Sequence, residues 1–76
     1  MESFGDRVRR LRIESGLSQN ELAERVMVSQ SNISAYEGNR QEPRKTQLIL
    51  LAKTFGVSLD YMCGVSDTRS TSEPEH

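Results

Sequence analysis

Residues 18–39, Ser-Gln-Asn-Glu-Leu-Ala-Glu-Arg-Val-Met-Val-Ser-Gln-Ser-Asn-Ile-Ser-Ala-Tyr-Glu-Gly-Asn, constrain the fold more than any other stretch. They read as two short helices joined by a tight turn. Ser18 caps the first, and Glu21 three residues on completes a capping box in which each side chain satisfies an orphan backbone N–H. Leu22, Ala23 and Val26 form its apolar side, with Ala23 small enough for two helices to meet closely. Met27 and Val28 make the turn, and Ser29 caps the next helix. On that helix Ile33, Tyr36 and Glu37 share one side at helical spacing, while Gln30, Ser31, Ser34 and Ala35 share the opposite one. Gly38-Asn39, both tolerant of positive φ, close it.

The flanking residues extend the helical pattern. Phe4, Val8 and Leu11 mark a stripe on a first helix over residues 3–15, stopped at Gly16. After the loop Arg40-Gln41-Glu42, Pro43 suits the start of a fourth helix, which runs to about Phe55 with Leu48, Leu51, Ala52 and Phe55 as its stripe. Gly56 ends it. Ser58 caps a short fifth helix containing Leu59, Tyr61 and Met62, closed by Gly64. No segment alternates like a strand. The reading is an all-α domain of five helices over residues 1–65. Residues 66–76, rich in Ser, Thr, Asp, Glu and Pro, read as a flexible polar tail.

A chain of 76 residues with 34% apolar content allows one small core. No run approaches the roughly 20 apolar residues of a membrane span, and residues 1–12 are too charged for a signal peptide. A single cysteine, Cys63, makes no internal disulfide and points to a reducing cytoplasm. In helix five, Cys63 reads as a small packed residue rather than a reactive thiol. The net charge of −1 looks wrong for a nucleic-acid partner until it is mapped. Residues 66–76 carry one basic and three acidic residues, whereas residues 1–65 carry nine basic and eight acidic. Arg7, Arg9, Arg10 and Arg12 fall on helix one; Arg40, Arg44 and Lys45 follow helix three. Phosphate binding requires a local basic face, not a basic total.

Two helices in this arrangement form a helix-turn-helix, whose second helix enters the DNA major groove. The outer side of helix three suits that role because it is small and uncharged. Gln30 can bridge adenine N6 and N7 with its amide. Ser31 and Ser34 are adaptable donors or acceptors, and Ala35 offers a methyl to thymine. Asn32 is placed more laterally but also within reach of a base. Gln19 opens helix two, where a helix N-terminus and a side-chain amide together suit a phosphate. Arg40, Arg44 and Lys45, with Arg10 from helix one, are the candidate grips on the flanking backbone. Taken singly, Gln30 and the serines are ordinary solvent-facing polar residues; it is their combination with the cap, turn and spacing that favours DNA.

Residues 4–65 resemble the phage repressor and Cro, or Xre-type, helix-turn-helix domains. Arg12, Leu17-Ser18-Gln19, Leu22-Ala23, Val28-Ser29-Gln30, Ile33-Ser34, Tyr36-Glu37 and Pro43 carry the resemblance. Leu51-Ala52 and Phe55-Gly56-Val57-Ser58-Leu59-Asp60 extend it. It implies a lambda-repressor-like five-helix fold that binds operators as a homodimer. It also implies base contacts from Gln30, Ser31, Ser34 and Ala35, a phosphate contact from Gln19, and an ion pair between Arg12 and Glu37. That pair is also sensible on its own, since Glu37 lies on the inner side of helix three and needs a partner. Three positions depart from the family pattern: Met27 where glycine is common, Gly38-Asn39 in reversed order, and Arg44 in place of a small cap.

Leu50 falls off the helix-four stripe and, with Leu59, Met62 or Val65, is the candidate interface for a second copy or a regulatory protein. The reading is a DNA-binding transcriptional regulator, a repressor of a palindromic operator. The alternatives are an antitoxin-like or partner-controlled regulator and a restriction–modification controller that also activates. No cofactor is implied. His76 with Glu73 and Glu75 is too sparse and too terminal for a metal site, and no residue pattern supports an enzyme.

Overall fold

Four serines start four helices. Ser3, Ser18, Ser29 and Ser58 each accept on Oγ the backbone N–H three residues ahead, at 3.0–3.2 Å. The helices they open are α1 (Phe4–Glu14), α2 (Gln19–Val26), α3 (Gln30–Glu37) and α5 (Leu59–Cys63). The remaining helix, α4 (Lys45–Phe55), has Arg44 at its cap with no side-chain hydrogen bond. Pro43 therefore stands before the cap and does not open the helix as its residue type suggested. This computed structural model describes residues 2–64. The expected tail 66–76, its Glu73, Glu75 and His76, and Val65 lie outside the described residues. Among those described there are five helices and no strand.

The helices also end alike. After α1, α2, α3 and α4 comes a residue in the left-handed region: Gly16, Met27, Asn39 and Gly56, with φ of 58–72°. The next residue then returns its N–H to a carbonyl five positions back: Leu17 to Arg12, Val28 to Ala23, Arg40 to Ala35 and Val57 to Ala52, at 2.8–3.1 Å. This closure satisfies orphan carbonyls and turns the chain sharply. Met27 adopts φ 64° and ψ 42° although it has a side chain, and that side chain is 78% exposed.

The turns fold the helices around one core of Val8, Leu11, Leu22, Ala23, Val26, Ile33, Tyr36, Leu51, Ala52, Val57, Tyr61 and Met62. α3 packs against both α2 and α1; α4 lies against α2, and α5 bridges α4 and α1. Gly5 sets the closest approach. A Cβ there would collide with the backbone carbonyls of Tyr36 and Glu37, so α1 can rest directly on the end of α3.

Several expectations are corrected. Met62 is fully buried and cannot belong to a surface interface; a helix of five residues makes less than two turns, too few for periodicity to assign its faces. Leu50 is half-buried and packed against the core, so it is not the exposed leucine its place off the stripe suggested. Cys63, by contrast, is exposed rather than packed. It borders a shallow groove with Phe4, Asn39, Pro43 and Leu48.

Candidate nucleic-acid interface

The buried side of α3 is Ile33 and Tyr36. Gln30 and Ser31 are exposed on its first turn, and Ser34 and Ala35 are half-buried further along. No charged side chain of α3 lies on this outer side, since Glu37, its one ionisable acid, turns inward. A second capping box holds the N-terminus, with Asn32 Oδ1 accepting the Ser29 backbone N–H at 3.2 Å. The same oxygen accepts from Ser29 Oγ at 2.7 Å, and Asn32 Nδ2 donates to Gln41 at 3.2 Å. Both ends of the Asn32 amide are thereby engaged within the protein. The structure gives Asn32 the job of a cap.

Arg12 and Glu37 are brought together. Arg12 Nε donates to Glu37 Oε2 at 2.6 Å, and Nη1 donates to the Leu17 carbonyl at 2.9 Å. The side chains are only 15% and 7% exposed, so removal of either partner strands a largely desolvated charge. Gln19 Nε2 donates to Glu37 Oε1 at 3.1 Å, and Gln19 Oε1 accepts from Gln30 Nε2. The opening of α2 and the opening of α3 are thus joined side chain to side chain.

Arg10 is not free for phosphate. It donates to Glu2 at 2.6 and 3.0 Å, to Glu14 at 3.1 Å and to the Tyr61 hydroxyl at 2.6 Å. The Arg10 hydrogen bond, backed by Arg7, holds the Glu2 carboxyl at a pKa of about 2. Arg7 itself donates to the Tyr61 carbonyl at 3.0 Å and lies over its ring at 4.9 Å. These two arginines fasten α5 to α1. The basic cluster of helix one, which by composition alone resembled a phosphate grip, is in good part a structural clamp. Nothing local in the sequence marks it, because the partners are 51 and 54 residues away.

Arg44 and Lys45 remain exposed at the start of α4, where helix N–H groups add to their charge. Arg40 is exposed but leans back over Gly38 and donates to Ser34 Oγ at 3.2 Å. Of the proposed interface residues, Leu59 alone is both described and exposed, at 37%. Among the described residues no helix is long and apolar enough to cross a membrane.

A fixed pair of short helices, with a small uncharged outer face on the second and cations flanking it, defines a helix-turn-helix domain. A sequence profile described as helix-turn-helix matches residues 8–62, and the chain belongs to the phage repressor and Cro (Xre-type) family of helix-turn-helix DNA-binding domains. The HTH-type transcriptional regulator ImmR of Bacillus subtilis is 30% identical over 73 residues, 96% of this chain and 58% of ImmR. The P22 c2 repressor, solved with a synthetic operator, superposes with a TM-score of 0.82 at 30% identity, covering 87% of this chain and 100% of that one. SinR in complex with DNA gives 0.74 at 32% identity over 80% and 98% of the two chains. SinR in its complex with SinI gives 0.73 at 33% identity over 79% and 59%. The chain spans 57–58% of the length of the first curated relatives it matches.

Proposed function

We propose that the chain is a sequence-specific transcriptional repressor that sets α3 into the major groove of a palindromic operator and binds as a homodimer. The observation that carries this reading is the outer side of α3: Gln30, Ser31, Ser34 and Ala35, small and uncharged, beside an amide at the start of α2. Gln30 reads adenine, and Ser31, Ser34 and Ala35 contact neighbouring base edges. Gln19, Arg44 and Lys45 hold phosphates and fix the register. Two copies place their α3 helices in half-sites about one helical turn apart. Repression follows from occupying the operator against polymerase. The likeness to the P22 c2 repressor on its operator supports this reading.

The test is selection of bound duplexes from a random DNA pool by wild type and Gln30→Ala, at two salt concentrations. The expected result is a palindromic consensus that relaxes at one base pair per half-site in the variant. Enrichment that is only salt-sensitive and indifferent to Gln30 would replace readout with non-specific phosphate binding. A second reading, control by a protein partner through the α5 side, is favoured by the exposure of Leu59 and by the SinR–SinI complex.

A further inference from the structure

Glu37 is where the core meets the reading side of α3. Its carboxylate takes Arg12 Nε on Oε2 at 2.6 Å and, on Oε1, both Arg12 Nη2 at 3.3 Å and Gln19 Nε2 at 3.1 Å. A carboxylate paired with a guanidinium only accepts hydrogen bonds. It therefore dictates which end of the Gln19 amide turns toward it: the NH2 end. The Gln19 oxygen is left facing Gln30. An amide oxygen also only accepts, so Gln30 must turn its own NH2 group inward, as it does. The consequence at the exposed end is an acceptor oxygen and one further N–H of Gln30, in a fixed order.

We propose that Glu37 is a positioning residue for base readout: through Gln19 it sets the orientation of the Gln30 amide, so that Gln30 presents the acceptor–donor order complementary to adenine. This inference rests on the major-groove reading above. The two ends of an amide are nearly the same size. Without an acceptor-only group at the inner end of the relay, both glutamines can turn over by half a rotation. Gln30 then divides its time between an order that fits adenine N6 and N7 and one that opposes them. Arg12 holds the Glu37 carboxylate in place, and so acts one step further back.

The experiment compares wild type, Glu37→Gln and Gln19→Met by duplex selection and by competition binding at the Gln30 base pair. Glu37→Gln keeps the size of the side chain but can donate as well as accept. Gln19→Met breaks the relay and leaves the Arg12–Glu37 pair intact, so one variant remains informative if the other fails to fold. Each is expected to lose roughly tenfold of the adenine preference at that base pair; Gln19→Met also loses overall affinity with its phosphate contact, a loss common to all sequences that leaves the relative preferences at the other base pairs unchanged. In the DNA-free protein, the Gln30 side-chain amide 1H–15N resonances should shift in both variants. A folded variant of either kind that keeps the full adenine preference overturns the proposal. So does a loss of preference spread evenly over all base pairs, which is what a merely structural role would give. A wild-type protein that selects no consensus removes the groove reading itself, and this one with it; the wild-type arm alone distinguishes that case.

Discussion

Asn39 accepts the backbone N–H of Gly5 on its Oδ1 at 3.0 Å, across 34 residues of chain. Its Nδ2 donates to Ser3 Oγ at 3.0 Å. One side chain at the end of α3 thus completes the capping of α1. The left-handed backbone at Asn39, φ 58°, turns the chain back toward the start of α1. The reversed Gly38-Asn39 order, a departure from the family pattern, has this contact as its result.

Gly5→Ala should be among the most damaging single-methyl additions in the chain. The new Cβ would fall against the Tyr36 and Glu37 carbonyls, which are backbone and cannot swing aside. A loss of about 2–3 kcal/mol is expected, read as a fall in Tm of roughly 10 °C or more. Thermal unfolding by circular dichroism checks it; an unchanged Tm would mean that α1 and α3 are not seated this closely.

Met27→Gly should stabilise. The methionine sits in the left-handed region with its side chain largely in water, so little packing is lost. Relief of the left-handed strain, about 1–2 kcal/mol, is partly offset by the extra freedom of glycine in the unfolded chain. A net gain of about 0.5–1 kcal/mol, or a few degrees in Tm, is the expected outcome of the same thermal scan.

Acid should loosen the clamp between α1 and α5 through Glu2. Its folded pKa of about 2 lies below its ordinary 4.5 because Arg10 and Arg7 bond the carboxylate. A depressed folded pKa gives stability that is present above the ordinary value and lost as pH falls from 4.5 toward 2. Glu2→Gln should therefore lower Tm at neutral pH, by a gap that shrinks as pH falls from 4.5 toward 2 and closes below it. A gap between the two proteins that stays constant with pH would count against the ion pairs.

Leu59→Lys tests the proposed homodimer. Leu59 is partly exposed on α5, so a lysine there can reach water in the monomer without disturbing the core. The dimer dissociation constant should rise about tenfold or more, measured by sedimentation equilibrium, with Tm extrapolated to low protein concentration unchanged. An unaltered constant would place the dimer contact elsewhere.

The helices and their ends were legible in the sequence because their causes are local. A serine three residues before its N–H partner, or a left-handed residue after the last turn, is written in adjacent positions. The Gly38-Asn39 close is legible for that reason, whereas Met27 stands out only against the glycine of the family pattern. The clamp of Arg7 and Arg10 on Tyr61 could not, since its partners meet only once five helices are folded. Gly5 looked like any residue of a first helix turn until the end of α3 was laid across it. Met62 and Leu50 were misplaced because α5 is too short, and the α4 stripe too broad, for spacing to separate surface from core. At the start of α3, Asn32 completes a capping box with Ser29, a role that the Glu or Gln usual at that position would have announced and an Asn does not.

α3 is tied at both ends to different parts of the molecule: to α2 through the glutamines, and to α1 through Asn39 and the Arg12–Glu37 pair. Held this way, α3 has little freedom to rock or slide in the proposed complex with a duplex. Any misfit in groove width or local twist then falls to the DNA. Operators would be sorted partly by how readily their central steps deform, so base pairs that no side chain touches would still change affinity.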